Sequence, residues 1–223
     1  MCLSICVYFR TLTIARVVLA TTKHEVNAAP TLFRSYDTSA KFRGCKIWQV
    51  ARATSAATTF FKPIRLGRDE MEFIDAAFGR NNPCEVLISE ARKIFGSQDK
   101  FQILSIGTGA AYPKSMGDTR MEIVQAMKTM VTSSKAVAAR MDDQYGHTGQ
   151  YFRFNVERGV GDILLSDWRQ YKIIAARTHN YLDEPQQQRS IAQFAQQFTG
   201  SIESAVPQTS FETTASSTST PSS

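Results

Sequence analysis

The stretch from Glu72 to Gly109 constrains the fold more than any other part of this chain. Glu72-Phe73-Ile74-Asp75 reads as a short strand. Asn82 is a good N-cap, Pro83 suits the first helical turn, and Glu85 completes a capping box. Leu87, Ile88, Ala91, Ile94 and Phe95 then form one apolar face, and Gly96 supplies the helix stop. Phe101 to Ile106 reads as a further strand, ending at Gly107-Thr108-Gly109. Strands separated by helices predict an α/β fold with a mainly parallel sheet.

The flanking segments extend the alternation. Ala15 to Thr21 reads as a buried strand and Leu32 to Tyr36 as a short one. Lys46 to Ala57 reads as a helix with Ile47, Val50, Ala51 and Thr54 along one face, and Pro63 stops any continuation. A helix is expected over about Thr119 to Ser134, a strand over Tyr151 to Val156, and two last helices over about Leu165 to Leu182 and Pro185 to Phe198. Five of the seven methionines lie between Met116 and Met141, at a spacing that favours a core role.

The ends differ from this body. Residues 1–14 are expected to be a poorly integrated leader. Arg10 and Arg16 interrupt its apolar run, so no membrane span of about 20 residues is available, and the charge follows the run where a signal peptide needs it before. Residues 15–200 form the domain. From 201 to 223, 13 of 23 residues are Ser or Thr, which predicts a disordered tail.

Of the 223 residues 43% are apolar and 21% charged, which excludes a disordered or collagen-like chain. The net charge of +6 comes without a run of five basic residues, so nucleic acid is not an expected partner. Cys2, Cys6, Cys45 and Cys84 form no C-x-x-C pair, and they read as free thiols of a reducing compartment. His24, His147 and His179 lack metal-ligand spacing, so no metal and no cofactor is expected.

Two positions could carry chemistry. Asp75 is a carboxylate at the carboxyl end of a strand, where open α/β sheets place their ligands. The same residue could simply cap the turn that follows it. Gly107-Thr108-Gly109 resembles a phosphate-cradling turn, but no G-K-[ST] follows, and a tight strand-to-loop turn is the better reading. No G-x-S-x-G nucleophile elbow occurs in the chain.

Five segments in order carry a family resemblance. They are Ile47-Trp48-Gln49-Val50-Ala51-Arg52-Ala53-Thr54-Ser55-Ala56-Ala57, Phe60-Phe61-Lys62-Pro63-Ile64, Phe73-Ile74-Asp75-Ala76-Ala77-Phe78-Gly79, Asn81-Asn82-Pro83, and Ile103-Leu104-Ser105-Ile106-Gly107-Thr108-Gly109. Together they resemble the second half of a patatin-like phospholipase domain of the fungal type, over roughly Val17 to Phe198. The resemblance implies a partial α/β/α sandwich, truncated at its N-terminal side. It also implies a lipid acyl hydrolase that works by a Ser-Asp dyad, the serine on a G-x-S-x-G elbow and the oxyanion hole in a glycine-rich loop.

By that resemblance Asp75 matches the catalytic aspartate, the proton acceptor. Ala77 matches the family's Gly/Ala position, and Ala76 stands where the family has glycine. Glycine adopts φ > 0 cheaply and alanine does not, so Ala76 would displace Asp75 if that backbone were needed. Neither the nucleophile nor the oxyanion loop is found in the chain. The expectation is therefore a C-terminal part of the domain, inactive by itself and poorly soluble through an unpaired sheet edge. Phospholipid or another acyl lipid is the expected partner, with a cytoplasmic location peripheral to membranes. The alternative is a noncatalytic lipid-surface or protein-binding module on a patatin-like fold.

Overall fold

The computed structural model describes residues 5–9, 16–25, 29–36, 41–57, 61–96, 101–109, 132–157, 160, 163 and 167–203. In chain order its elements are β1 (Ile5–Phe9), β2 (Val17–Thr22), β3 (Thr31–Arg34), α1 (Ile47–Thr54), β4 (Ile64–Leu66), β5 (Met71–Asp75), α2 (Ala77–Arg80), α3 (Cys84–Phe95) and β6 (Gln102–Ile106). A helix α4 follows over residues 132–141. A π-helical turn (Asp142–Gly146), β7 (Tyr151–Phe154), a 3₁₀ turn (Trp168–Gln170), α5 (Tyr171–Leu182) and α6 (Pro185–Glu203) complete it.

The protein is mixed α/β, but its strands are not mainly parallel. A four-stranded sheet in the order β3-β2-β5-β4 is antiparallel at every pairing. A three-stranded sheet in the order β1-β6-β7 pairs β1 with β6 antiparallel and β6 with β7 parallel. This corrects the expected sheet direction, and for two of the pairings chain length explains it. The links from β2 to β3 and from β4 to β5 are too short for the crossover of a dozen or more residues that parallel neighbours need. β2 with β5 and β1 with β6 are joined through longer stretches of chain and are antiparallel too, and β6 with β7 is the one parallel pair among the described strands.

Residues 5–9 were expected in a poorly integrated leader. They form β1 instead, in register with β6 from Ile5 opposite Ile106 to Phe9 opposite Gln102. At the other end α6 runs to Glu203, three residues into the expected tail, and residues 204–223 lie outside the described part. The helix expected over Thr119 to Ser134 falls largely outside it too.

Each sheet has its own core. Ala20, Phe33, Ala53, Leu66 and Phe73 are buried together under α1, with Val50 and Phe42 packed at the margin. The rings of Phe33, Phe42 and Phe73 meet edge-on or tilted, with centroids 4.8–5.8 Å apart. The second core joins Cys84 and Ile88 of α3, Ile103 of β6, Val137 and Met141 of α4, Tyr145 and Tyr151. Met141 is thus core, as its spacing suggested. Cys84 is disulfide-bonded and Cys45 is free. That corrects the expectation of free thiols throughout.

Candidate active site at Asp75

β5 is an inner strand of the four-stranded sheet, between β2 and β4. Phe73 and Ile74 are buried and anchor it, and Asp75 is its last residue, opposite Ala20. The backbone N–H of Asp75 donates to the Ala56 carbonyl at 3.1 Å. That bond joins two of the segments that carry the family resemblance, the end of the Ile47–Ala57 run and the start of the Asp75 turn. The chain then turns at once: the Ala77 N–H donates to Asp75 Oδ1 at 2.9 Å. The two-residue reach is an Asx turn, which fixes the carboxylate rotamer.

Asp75 is only 4% exposed, and Ala76 and Ala77 beside it are buried. Burial pushes its carboxyl above the ordinary value of 3.8, and the Ala77 hydrogen bond offsets this in part. Among the described residues no cation pairs with it and no side chain donates to it. A buried carboxylate with one oxygen fixed and a raised proton affinity is a competent proton acceptor, if a hydroxyl reaches its other oxygen.

Ala76 answers the question its substitution raised. Its φ is −69° and its ψ −7°, in the right-handed region open to every residue. The backbone beside Asp75 therefore needs no glycine at this position. The helix that follows, α2, has four residues, so Asp75 serves one turn rather than the cap of a long helix.

The Gly107-Thr108-Gly109 turn is a matter of close packing. The Gly107 N–H donates to the Phe154 carbonyl at 2.8 Å, and the Gly109 N–H donates to Asn155 Oδ1 at 2.9 Å. A Cβ on Gly107 would lie 2.1 Å from Asn155 Oδ1, and one on Gly109 would lie 2.4 Å from Val160 Cγ2. These contacts account for both glycines without a phosphate.

Sequence reasoning missed the polar group beneath this turn. Ser105, fully buried on β6, accepts from Arg153 Nη1 at 2.6 Å across the parallel pair. The buried Tyr151 hydroxyl lies beside Ser105, Arg153 and Asn82, and burial holds its pKa above the usual 10. Nothing in the spacing of these residues marks them, because they converge from two strands and a loop.

Among the described residues no three His, Cys, Asp or Glu side chains gather as a metal site, and no helix is long and apolar enough to cross a membrane. No protein-family model matches the chain, and no curated protein matches it at a significant level. The fold and the site define a mixed α/β protein with a buried carboxyl at the end of an inner strand.

Proposed function

We propose that this chain carries the general-base side of a patatin-like acyl-ester hydrolase site, with Asp75 as proton acceptor. The placement of Asp75 supports the reading: a buried carboxylate, aimed by the Ala77 N–H, at the end of an inner strand. The partial α/β/α sandwich belongs to the same proposal, with the parallel β6–β7 pair as its parallel part. The serine would come from a segment bearing G-x-S-x-G, which these 223 residues do not contain.

In that site the serine Oγ attacks the ester carbonyl carbon and its proton passes to Asp75. The carbonyl–alkoxy bond then breaks, and the leaving alkoxide takes the proton back. Water repeats the sequence on the acyl-enzyme, and the substrate is an acyl lipid. Mixing the chain with a polypeptide carrying the glycine-rich loop and the G-x-S-x-G serine tests this. Hydrolysis of a p-nitrophenyl ester is expected in the mixture and not with Asp75→Asn. A mixture without turnover, or turnover that survives Asp75→Asn, overturns the reading.

A second reading has its own support. Ile47, Trp48 and Phe61 are exposed large apolar side chains in a basic segment, which suits a noncatalytic lipid-surface module. Vesicle binding that is unchanged by Asp75→Asn, together with no hydrolysis in any mixture, would favour it.

A further inference from the structure

We propose that the outer face of α1, together with the adjoining Phe61-Lys62, is a docking surface for bilayers rich in anionic phospholipid. The proposal deepens the lipid reading above but stands on this surface rather than on Asp75.

The charge is concentrated here. Residues 41–68 contain seven Lys or Arg and no Asp or Glu, more than the +6 net charge of the whole chain. Arg65 pairs with Glu72, and Arg68 with Asp69. Lys46, Arg52 and Lys62 form no ion pair with any described residue. Lys46 also sits at the N-terminal end of α1, where the helix dipole adds positive potential.

The apolar residues face the same way. α1 turns Ala53 and Val50 into the core under the four-stranded sheet. The side away from them leaves Trp48 61% exposed, and Ile47, in the first turn of the helix, is 90% exposed. Trp48 and Arg52 stand four residues apart, one above the other on the helix. The Arg52 guanidinium lies 5.3 Å from the centre of the Phe61 ring, itself 50% exposed. Arg52 Nη2 also donates to the Lys62 carbonyl at 2.6 Å, which holds that segment against the helix. Trp48, Arg52 and Phe61 are therefore one continuous surface, with Ile47 beside them and a lysine on either side.

This composition suits a bilayer interface. Trp and Phe partition to headgroup depth, and lysine stems extend along apolar surface while their charges stay at the phosphates. Each lysine near an anionic leaflet strengthens binding by about fivefold. The unpaired charge selects anionic lipid as the occupant over a second copy of this chain, whose matching face would repel it.

Tryptophan fluorescence tests the proposal, because the chain has two tryptophans, Trp48 and the exposed Trp168. Trp168→Phe leaves Trp48 as the sole reporter. Its emission is expected to shift blue with vesicles of phosphatidylcholine containing about 30% phosphatidylserine, and the shift should be lost in high salt. Lys46→Ala with Lys62→Ala is expected to weaken binding roughly 25-fold, with an unchanged far-UV circular dichroism spectrum. Trp48→Phe should leave a Trp168 signal that does not move.

No shift, an equal shift with phosphatidylcholine alone, or a shift of Trp168 in place of Trp48 would each overturn the proposal. So would a Trp48 shift without vesicles that tracks a doubling of mass, since a second copy would then cover the face. Repeating the titration in Asp75→Asn separates docking from hydrolysis.

Discussion

Arg34 Nε on β3 donates to the Glu90 carboxylate on α3, tying an edge strand of the four-stranded sheet to the helix that leads into the other sheet. Tyr36 donates to the same carboxylate oxygen at 2.9 Å, and Lys93 to the other oxygen at 2.7 Å. Glu90 is 3% exposed, so these donors replace the water it has lost.

The pH dependence follows from that setting. The Arg34 hydrogen bond, helped by Lys93 and Tyr36, holds the Glu90 carboxyl down at about 2, against a normal 4.5. A depressed acid stabilises the fold above its unfolded value, and its contribution is lost as the pH falls from 4.5 through about 2. Glu90→Gln is expected to cost roughly 2–3 kcal/mol at neutral pH, less than a fully buried pair because Arg34 is partly exposed. Urea denaturation should show the gap between wild type and variant closing across that acid range. A gap that stays constant would mean the contact acts through packing alone.

Asp75 titrates in the opposite sense. Burial raises its folded value, so the ionised carboxylate opposes folding once the pH rises above the unfolded 3.8. Asp75→Asn keeps an Oδ1 acceptor for the Ala77 N–H and removes the buried charge. Its melting temperature should equal or exceed that of wild type at pH 7, and any advantage should shrink as the pH falls, because protonation relieves wild type and leaves the variant unchanged. Asp75→Ala loses the turn bond and is expected to cost about 1 kcal/mol. If Asn destabilises as much as Ala, the charge itself holds the turn and a base role loses its support.

How far the sequence carried depends on the range of the interaction. The positions of α1, β5, β6 and β7 follow from local pattern, and so does that of Asp75 at the end of a strand, but the expected apolar face of α1 does not hold: Ala53 is its buried residue, and Ile47 and Ala51 are exposed. The start of α3 is one residue later than its signals suggest, because the Asn82 side chain accepts from the Cys84 N–H in a turn that precedes the helix. Its expected apolar face is half right: Ile88 and Ala91 are buried, yet Ile94 is exposed and Glu90 takes a buried place. Residues 5–9 could not be placed from pattern, since their partner β6 lies almost a hundred residues away. The Ser105–Arg153 bond and the Cys84 disulfide are likewise long-range facts without a local signature.

Ala76 offers a direct comparison with the glycine that the resemblance implies. Its backbone is right-handed, so Ala76→Gly relieves no strain and adds freedom to the unfolded chain. The expected loss is roughly 0.4–1 kcal/mol, measured by chemical denaturation, with ester hydrolysis in the reconstituted mixture unchanged. A gain in hydrolysis with glycine would show that the alanine holds Asp75 away from its working position.

The cysteines make a chemical prediction. Cys84 is fully buried within the second core and disulfide-bonded, whereas Cys45 is partly exposed and free. Alkylation without reductant should label Cys45 and spare Cys84, and peptide mapping should find Cys84 in a disulfide-linked pair. Reduction is expected to lower stability by about 2–4 kcal/mol. Labelling of Cys84 in the folded, unreduced protein would refute the assignment.

Gly107 tests whether the turn after β6 is packing or a ligand cradle. An added methyl would lie 2.1 Å from Asn155 Oδ1, the acceptor that holds the Gly109 N–H. Asn155 must move for the methyl to fit, and the Gly109 N–H loses its partner. Its backbone N–H also donates to the Tyr181 hydroxyl at 3.1 Å, so the disturbance reaches α5. Gly107→Ala is therefore expected to destabilise the protein by about 1–3 kcal/mol. Hydrogen exchange should quicken at Gly109 and Asn155, while β5 and Asp75 in the other sheet keep their protection. Exchange that quickens equally in both sheets would mean that the two cores unfold as one unit.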